Sequence, residues 1–363
     1  MKKIALLGAG HIGRTIAKLL VDTKDYEVTV VDRDAKALAA LAKIGCRTLT
    51  APTDERARIA KAIKGHEAVV NALPYDLAVE VAHAAKAAGC HYFDLTEDVA
   101  ATAAIRALAK GASTAFMPQC GLAPGFIGIV AHHLTKGFEK VNDVKMRVGA
   151  LPAFPTNSLK YNLTWSVDGL INEYRHPCDA VRDGQLVQVL PLEGLEHFSL
   201  DGVEYEAFNT SGGLGTLAET HAGKVDNLDY KSVRYPGHQA LMRFLLEELR
   251  MNGRVEELKE ILREAVPATM QDVVLIFVTV TGKRGGALVQ EVFARKIFAD
   301  REAPLSAIQI TTAAGICAAI DLFREGKLPK KGFIRQEQIA LPDFLANRFG
   351  SAYQNFRRIE AIS

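Results

Sequence analysis

The chain has 363 residues, of which 48% are hydrophobic and 24% are charged, and its formal net charge is +2. This composition is typical of a globular protein with about two domains and excludes a disordered or collagen-like chain. The small net charge gives no basis for a nucleic-acid partner. No apolar run reaches the roughly 20 residues that span a bilayer, so we expect no membrane segment.

The cysteine pattern and the N-terminus limit the class of protein further. The five cysteines are scattered and form no C-x-x-C pair, so they predict neither a disulfide framework nor a zinc site. His132 and His133 are adjacent, and neighbouring helical residues point in different directions, so we expect no metal there. The apolar stretch after Lys3 is too short for a signal peptide and leads into a glycine motif. We therefore expect a cytoplasmic protein.

The first third of the chain alternates between strand and helix patterns. Apolar and β-branched runs predict strands at residues 3–7, 27–31, 66–73, 91–95 and 113–118. Helical periodicity predicts helices at residues 12–21, 35–43, 76–88 and 99–110. This alternation predicts an α/β fold with a doubly wound, Rossmann-type parallel sheet.

Strand patterns dominate after residue 121. We predict strands at 143–148, 186–189, 203–208 and 229–233, a long hairpin at 272–281 and 287–298, and helices at 128–134, 239–251, 255–264 and 306–323. The pattern favours a second, mixed α/β domain with a largely antiparallel sheet. We predict domains at 1–120, with a returning helix at about 305–326, and at 121–304, followed by a C-terminal extension at 327–363.

Residues 8–13 form a G-x-G-x-x-G motif directly between a predicted strand and a predicted helix. Gly8 permits the tight turn, Gly10 leaves room for a pyrophosphate, and Gly13 lets the helix pack against the strand. The N-terminus of the helix offers N–H groups and a positive dipole end to the phosphates. We predict that Gly8, Gly10, His11, Ile12 and Gly13 bind a dinucleotide. A tight turn without a ligand is the alternative.

Asp32 ends the second predicted strand, at the distance where an acid binds the ribose hydroxyls of the cofactor. A carboxylate there repels a 2′-phosphate, which favours NAD. Arg33 is the adjacent cofactor-binding candidate, and since an arginine can pair with a 2′-phosphate, NADP stays possible.

The loop at residues 71–75, Asn-Ala-Leu-Pro-Tyr, follows a later strand of the same sheet. The carboxyl ends of parallel strands face the cofactor. We expect Asn71, Leu73 and Pro74 to contact the nicotinamide ribose, with a plain connecting turn as the alternative.

Several segments together carry a family resemblance. They are NALPY at 71–75, CGLAPG at 120–125, YNLTWS at 161–166, INEY at 171–174 and RYPGH at 234–238. In this order, and with the glycine motif, they resemble the saccharopine dehydrogenase-like family over most of the chain, to about residue 325. Within that family the resemblance is closest to the NAD-dependent L-lysine 6-dehydrogenases.

The resemblance implies a Rossmann domain, a mixed α/β domain for substrate binding and dimerisation, and an enzyme that oxidises or reduces a C–N bond of a small amino acid substrate. Ala123 precedes Pro124 and Gly125, where the glutamate-forming saccharopine reductases tend to have aspartate, and this resembles the lysine 6-dehydrogenases. The leading hypothesis is therefore L-lysine 6-dehydrogenase-like oxidative deamination by a homodimer. The alternatives are a saccharopine or carboxynorspermidine dehydrogenase and, in a different class, an NAD(H)-binding sensor without turnover.

The implied chemistry requires a base for the amine proton and a cation for the substrate carboxylate. Arg234 is the candidate carboxylate clamp, and a salt bridge is the alternative. His238 is a candidate acid or base because histidine titrates near neutral pH, unless it caps a helix. Tyr161, a catalytic candidate, and Trp165, a substrate-binding candidate, line the predicted pocket, unless they are core residues.

Two polar residues lie at the end of a predicted Rossmann strand. Asp94 is a catalytic candidate and Thr96 a cofactor-binding candidate, although a threonine there could instead cap the next helix. Both would face the cofactor edge of the sheet.

Two glycine-containing loops complete the predicted site. Gly121 and Gly125 could offer backbone N–H groups to the cofactor and to the substrate, respectively. Thr210 and Ser211 begin a flexible, Gly-rich turn, Thr-Ser-Gly-Gly-Leu-Gly, that we predict to bind substrate. A purely structural loop is the alternative.

Overall fold

A computed structural model describes residues 1–53, 55–300 and 305–354. The chain divides into two compact units, the first formed by residues 1–129 and 309–352 and the second by residues 130–308 together with the described residues 353 and 354. The part of the predicted C-terminal extension at 355–363 lies outside the described residues. The domain roles predicted from the sequence stay predictions.

The first unit is built on a parallel sheet. Its strands are β1 (Lys3–Leu7), β2 (Glu27–Asp32), β3 (Arg47–Thr50), β4 (Ala68–Asn71), β5 (His91–Asp94), β6 (Ala115–Met117) and, from the end of the chain, β15 (Gly332–Phe333). The strand order is β15-β6-β5-β4-β1-β2-β3, and every neighbouring pair is parallel. The order reverses between β1 and β4, which is where open α/β sheets bind ligands. The predicted doubly wound α/β fold is confirmed.

Helices pack on this sheet because its central strands are apolar and buried, whereas the edge strand β3 is exposed. The helices of this unit are α1 (His11–Asp22), α2 (Ala35–Ala42), α3 (Arg56–Ile63), α4 (Ala78–Ala88), α5 (Val99–Ala109), most of α11 (Ala307–Arg324) and α12 (Leu341–Ala346). The division between the two units falls within α6 (Phe126–Thr135). One buried cluster joins β1, β4 and β5 to α3, α4 and α5 through side chains such as Val69, Val81 and Ile105. Parallel sheets need this cover on both faces.

The second unit contains a mixed sheet of eight strands among the described residues. They are β7 (Lys140–Pro152), β8 (Cys178–Arg182), β9 (Gln185–Val189), β10 (Glu196–Leu200), β11 (Val203–Asn209), β12 (Val225–Arg234), β13 (Asp272–Arg284) and β14 (Ala287–Phe298). The main order is β10-β11-β12-β7-β13-β14, and β8 and β9 continue from β12. Only the β12–β7 pair is parallel within the described ranges. The predicted mixed domain with a largely antiparallel sheet is confirmed.

The helices of this unit are short: α7 (Val167–Glu173), α8 (Leu217–His221), α9 (His238–Arg243) and α10 (Val255–Ala265). A π-helical turn, Phe244–Glu248, follows α9 and interrupts the single helix predicted at 239–251. Leu170, Met242 and Leu258 pack with Phe208 of β11 in one core cluster. This cluster buries one face of the sheet near β11.

The predicted hairpin is longer than its sequence pattern. Strand β13 continues through Gly282, Lys283 and Arg284, and only Gly285 and Gly286 form the turn. The register of β13 against its other neighbour, β7, shifts between Thr281 and Gly282. A side chain at Gly282 would overlap the carbonyl of Lys140 in β7. Glycine is therefore required where β13 and β7 approach this closely.

Helix α11 is long and apolar enough to cross a membrane by length and composition, but most of it is buried within the protein. Ile316, Ala319 and Ile320 are fully or almost fully buried. It is therefore a core helix in this structure.

Candidate functional site

The motif at residues 8–13 forms the turn between β1 and α1. Gly8 has a left-handed φ of +105°, and an added Cβ would lie 2.8 Å from the carbonyl oxygen of Ala72. A Cβ on Gly13 would overlap the carbonyl oxygen of Gly8. Both glycines are therefore required by the fold itself.

Gly10 differs from the other two glycines of the motif. It is exposed, its φ is −69°, and no atom lies within 4 Å of an added Cβ. Neither strain nor packing explains a glycine here, whereas a closely approaching ligand does. His11 is also exposed and Ile12 is partly buried, both at the first turn of α1. Its N-cap residue has no side chain to cap the N–H groups, so they remain for an anion.

Asp32 ends β2 beside this turn. One carboxylate oxygen accepts a hydrogen bond from the backbone N–H of Ala9 at 2.6 Å, and the other from that of Asp34 at 2.8 Å. Each oxygen keeps capacity for a further donor, as ribose hydroxyls require. Arg33 is exposed next to it.

The strand register places three loop starts side by side at the carboxyl edge of the sheet. Leu7 of β1 pairs with Asn71 of β4, which pairs with Asp94 of β5. Asn71 is buried, and its side-chain oxygen accepts a hydrogen bond from the N–H of Leu73 at 3.2 Å, so it shapes its own loop. Leu73 is partly buried and Pro74 is exposed.

Asp94 is 1% exposed and holds two loops together. Its carboxylate accepts hydrogen bonds from the Tyr92 hydroxyl at 2.6 Å, the Thr96 N–H at 3.0 Å and the Gln119 N–H at 2.8 Å. Burial raises the pKa of Asp94 to about 6, although these hydrogen bonds lower it. The contacts give Asp94 a positioning role; its predicted catalytic role has no direct support from them.

Thr96 does not cap helix α5, which was the alternative considered for it. The cap is Asp98, whose side chain accepts a hydrogen bond from the N–H of Ala101. The Thr96 hydroxyl instead accepts a hydrogen bond from the N–H of Asp98 at 3.2 Å.

The loop at residues 121–125 is closed by its own hydrogen bonds. The Gly121 N–H donates to the carbonyl of Pro124 at 3.1 Å, so this N–H is already used within the loop, and the cofactor contact of Gly121 stays a prediction. Gly125 has a φ of +133°, and a Cβ there would overlap the carbonyl of Gly121. Packing alone therefore accounts for glycine at position 125.

The second unit holds a buried network around Arg234. Its guanidinium donates to the Tyr174 hydroxyl at 2.9 Å, to the Val233 carbonyl at 2.9 Å and to the Glu173 carboxylate at 3.0 Å. Arg234 is 3% exposed, and Glu173 neutralises its charge. Since a guanidinium has five N–H groups, one on each terminal nitrogen remains beyond these three bonds.

His238 belongs to the same network and is fully buried. Its Nδ1 lies 3.0 Å from the Leu159 carbonyl and its Nε2 lies 3.1 Å from the Tyr174 hydroxyl. A carbonyl only accepts, so Nδ1 carries the proton and Nε2 accepts from Tyr174. Burial and the nearby Arg234 charge lower the pKa of His238 to about 3. The prediction that His238 titrates near neutral pH is therefore wrong for this conformation.

The two aromatic candidates are in contact. The Trp165 indole N–H donates to the Tyr161 hydroxyl at 3.0 Å, and both pack on the core cluster that contains Leu170. Tyr161 is 1% exposed, and burial raises its pKa. The core-packing alternative accounts for Tyr161, while Trp165 is only partly buried.

The Gly-rich turn is held firmly by its surroundings. The Thr210 hydroxyl lies 2.8 Å from that of Ser232, and the Ser211 N–H donates to the Glu173 carbonyl at 2.9 Å. A Cβ on Gly213 would overlap the ring of Tyr230. The loop is therefore mostly buried and hydrogen-bonded to its surroundings, and its predicted substrate contacts stay a prediction.

Sequence reasoning gave no role to Glu173, Tyr174 and Glu97. The first two lie in the INEY segment, and its position among the family-like segments was the available signal. Glu97 follows Asp94 by three residues, and only its surroundings distinguish it from a surface glutamate. Among the described residues, no group of three or more metal-ligating side chains gathers in a metal site.

Comparison with known proteins covers both units. Residues 4–116 match the family model of the saccharopine dehydrogenase NADP binding domain, and residues 121–350 match that of the saccharopine dehydrogenase C-terminal domain. A curated relative, the NADP(+), L-glutamate-forming saccharopine dehydrogenase of Schizosaccharomyces pombe, is 25% identical over 197 residues, or 52% of this chain. The match spans only 44% of that relative's length.

Solved structures show a similar fold. An apo saccharopine dehydrogenase (L-Glu forming) from Saccharomyces cerevisiae has a TM-score of 0.79 at 16% identity, covering 95% of this chain and 96% of the other. A myo-inositol dehydrogenase from Corynebacterium glutamicum has a TM-score of only 0.46 at 13% identity, over 98% and 97% of the two chains, which is too low to indicate a shared fold. The two family models together span nearly all of the described residues. The chain therefore belongs to the saccharopine dehydrogenase family, as its sequence motifs predicted.

Proposed function

We propose that this protein is an NAD(P)-dependent oxidoreductase that acts on a C–N bond of an amino acid. The observation that carries the proposal is Gly10, an exposed glycine that neither backbone strain nor packing explains. It leaves the N-terminus of α1 open to a pyrophosphate, next to a carboxylate placed for the ribose. The family membership supplies the reaction class.

When bound, the nicotinamide would serve as the acceptor or donor of hydride. The chain's own residues bind and orient the reactants. The α1 N-terminus holds the phosphates, Asp32 holds the ribose hydroxyls, and the loop after Asn71 borders the same edge of the sheet. Asp94 keeps that edge ordered by linking residues 96 and 119.

Arg234 remains the proposed clamp for a substrate carboxylate. Its two remaining N–H groups would serve that purpose, because a guanidinium fork matches a carboxylate. Glu173 and Tyr174 fix the guanidinium through the other contacts. The neutral His238 orients the Tyr174 hydroxyl by accepting a hydrogen bond from it at Nε2.

For the substrate we propose L-lysine, oxidised at its terminal amine, on the basis of Ala123 in the GLAPG segment. Saccharopine is the second candidate, because the family models and the curated relative are saccharopine dehydrogenases. Both substrates carry the carboxylate and the amine that the proposed site requires.

A substrate panel tests these assignments. Purified protein is mixed with lysine, saccharopine, carboxynorspermidine or another ω-amino acid, and with NAD+ or NADP+, while the absorbance of the reduced nucleotide is followed. Turnover of lysine but not of saccharopine supports the first candidate, and the reverse supports the second. Nucleotide binding without turnover across the panel would overturn the enzyme assignment in favour of a sensor.

We further propose NAD over NADP, because the Asp32 carboxylate would repel a 2′-phosphate, while Arg33 is the residue that would favour one. We also propose a homodimer, as the family resemblance implied, and a cytoplasmic location, as the N-terminal sequence pattern suggested. Analytical ultracentrifugation checks the first, since a single species at the monomer mass would exclude the dimer. Cell fractionation checks the second.

A further inference from the structure

The loop between β5 and α5, residues 95–98, begins at the same edge of the sheet as the phosphate turn and contains Glu97. Leu7, Asn71 and Asp94 are in register on adjacent strands. Since neighbouring strands lie roughly 4.8 Å apart, the β5 end is about 10 Å from the β1 end. Glu97 is the third residue beyond Asp94.

Side-chain to backbone hydrogen bonds hold this loop on both sides of Glu97. The Asp94 carboxylate accepts from the Thr96 N–H, and the Thr96 hydroxyl accepts from the Asp98 N–H. The Asp98 carboxylate in turn accepts from the Ala101 N–H at 2.7 Å and begins α5. The backbone at Glu97 is therefore held in place without a ligand. A reacting group requires such preorganisation.

Glu97 lacks the cation that usually accompanies a buried carboxylate. It is partly buried, and over the described ranges it forms no ion pair with lysine, arginine or histidine. The charged groups that act on it are Asp98 and Asp94, and both are acidic. Burial, followed by these two carboxylates, raises the pKa of Glu97 to about 7, although its own N–H lowers it.

We propose that Glu97 is the proton acceptor for the substrate amine, a role that rests on the proposed function. The ammonium N–H bond breaks, an O–H bond forms on the Glu97 carboxylate, and the electron pair stays on nitrogen. The neutral amine can then release hydride from its carbon. In the reverse direction the same carboxyl group returns the proton.

The other titratable candidates are less suited to this step. The three groups that donate hydrogen bonds to the Asp94 carboxylate belong to this chain, and the side chain is buried. Asp94 therefore has no access to a substrate. His238 donates through Nδ1 and accepts through Nε2, so both ring nitrogens are in use. Glu97 remains partly exposed and unpaired within the described chain. A base that titrates near the working pH is also the most effective one.

The first test is the pH dependence of kcat/KM in wild type and in Glu97→Gln. In wild type, kcat/KM should fall as the pH drops below about 7, because Glu97 becomes protonated. The variant should lose roughly 10²- to 10⁴-fold in activity. Its residual rate should follow the fraction of neutral amine in solution, without a limb near pH 7. A limb retained in Glu97→Gln would overturn the role of Glu97 while the proposed function stands.

Asp98→Asn is the matched control. Asparagine keeps the helix cap but removes one of the two charges that raise the Glu97 pKa. The acid limb should therefore move to lower pH, with most of the activity kept. An unmoved limb would contradict the assignment of that limb to Glu97.

A second measurement needs neither turnover nor nucleotide. In protein labelled with 13C at the glutamate side-chain carboxyl, the resonance missing in Glu97→Gln identifies Glu97. A titration midpoint near 7 supports the proposal, and one near the ordinary value of about 4.3 overturns it. If no amine in the panel is turned over, the proposed function fails, and this role fails with it.

Discussion

Gly10 and Gly13 belong to one motif but have different reasons to be glycine. A Cβ on Gly13 meets the backbone of Gly8, and a Cβ on Gly10 meets nothing. The distinction separates a residue that the fold requires from one that the ligand requires, and it can be tested with two single substitutions.

Gly10→Ala should keep the fold but weaken nucleotide binding, because its methyl group occupies the space of the pyrophosphate. We expect a loss of about tenfold or more in NAD affinity with a melting temperature close to wild type. Gly13→Ala should instead lower the melting temperature by several degrees, since backbone must move. Calorimetric titration and thermal unfolding provide the two readouts. An unchanged affinity in Gly10→Ala would remove the pyrophosphate from this turn.

We propose that Asp32 favours NAD over NADP by its charge and its hydrogen bonds to the ribose. Asp32→Ala should weaken NAD binding by about tenfold or more, because charge-assisted hydrogen bonds to the ribose contribute roughly 1.5–3 kcal/mol. NADP binding should change less or improve, since a repulsive charge is removed. Arg33→Ala is the companion variant and should weaken NADP alone. Equal losses for both nucleotides in Asp32→Ala would contradict the preference for NAD.

At the scale of elements, Asp272 connects the start of β13 to the start of α11. Its carboxylate accepts hydrogen bonds from the N–H groups of Ala307 at 2.5 Å and Ile308 at 3.0 Å. The helix N-terminus favours the charged form, but Asp272 is 1% exposed. Burial prevails and raises the pKa of Asp272 to about 6.

This raised pKa predicts the sign of a pH effect. The folded state holds the proton more tightly than the unfolded state, so the contribution is present below about pH 4 and is lost as the pH rises through about 6. Between pH 4 and 7, wild type should lose on the order of 3 kcal/mol more unfolding free energy than Asp272→Asn. Urea unfolding at a series of pH values measures the difference. Parallel pH profiles for the two proteins would contradict the effect.

At the scale of the whole molecule, Asp321 of α11 fastens the end of the described chain to the first unit. It accepts hydrogen bonds from the Tyr26 hydroxyl at 2.6 Å, Asn347 at 2.9 Å and the Arg348 guanidinium at 2.8 Å. Burial would raise the pKa of Asp321, but hydrogen bonds from Arg348, Tyr26 and Asn347 hold it below its usual value. The segment that includes β15 and α12 is therefore part of the first unit and not an appendage.

Asp321→Ala should destabilise the protein by about 2–4 kcal/mol, because it leaves buried donors and a cation without their acceptor. Asp25→Asn is the control. Asp25 is partly exposed and pairs with the same Arg348, so its loss should cost less than about 1 kcal/mol. Thermal unfolding gives the comparison, and limited proteolysis should cleave the C-terminal segment sooner in Asp321→Ala. Equal stability of the two variants would contradict this account.

The strand–helix alternation was sufficient to predict the parallel sheet, because most of its strands and helices have a recognisable residue pattern of their own. Strands β3, β8, β10 and β15 were missed, and so was helix α3. Strand β15 has two residues, Gly332 and Phe333, and β10 alternates polar and apolar side chains only weakly. Their strand character comes from a partner strand rather than from their own pattern.

The sequence by itself determined the phosphate turn, Asp32 and the family, because these depend on residues that are contiguous or joined by one short strand and helix. Only the tertiary structure decided what the buried polar residues do. Arg234 meets a carboxylate from position 173, His238 loses its basicity in a buried network, and Glu97 gains a raised pKa where burial meets two acids. The physical reason is that pKa and hydrogen bonding depend on burial and, for Arg234 and His238, on neighbours distant in sequence, and only folding supplies both.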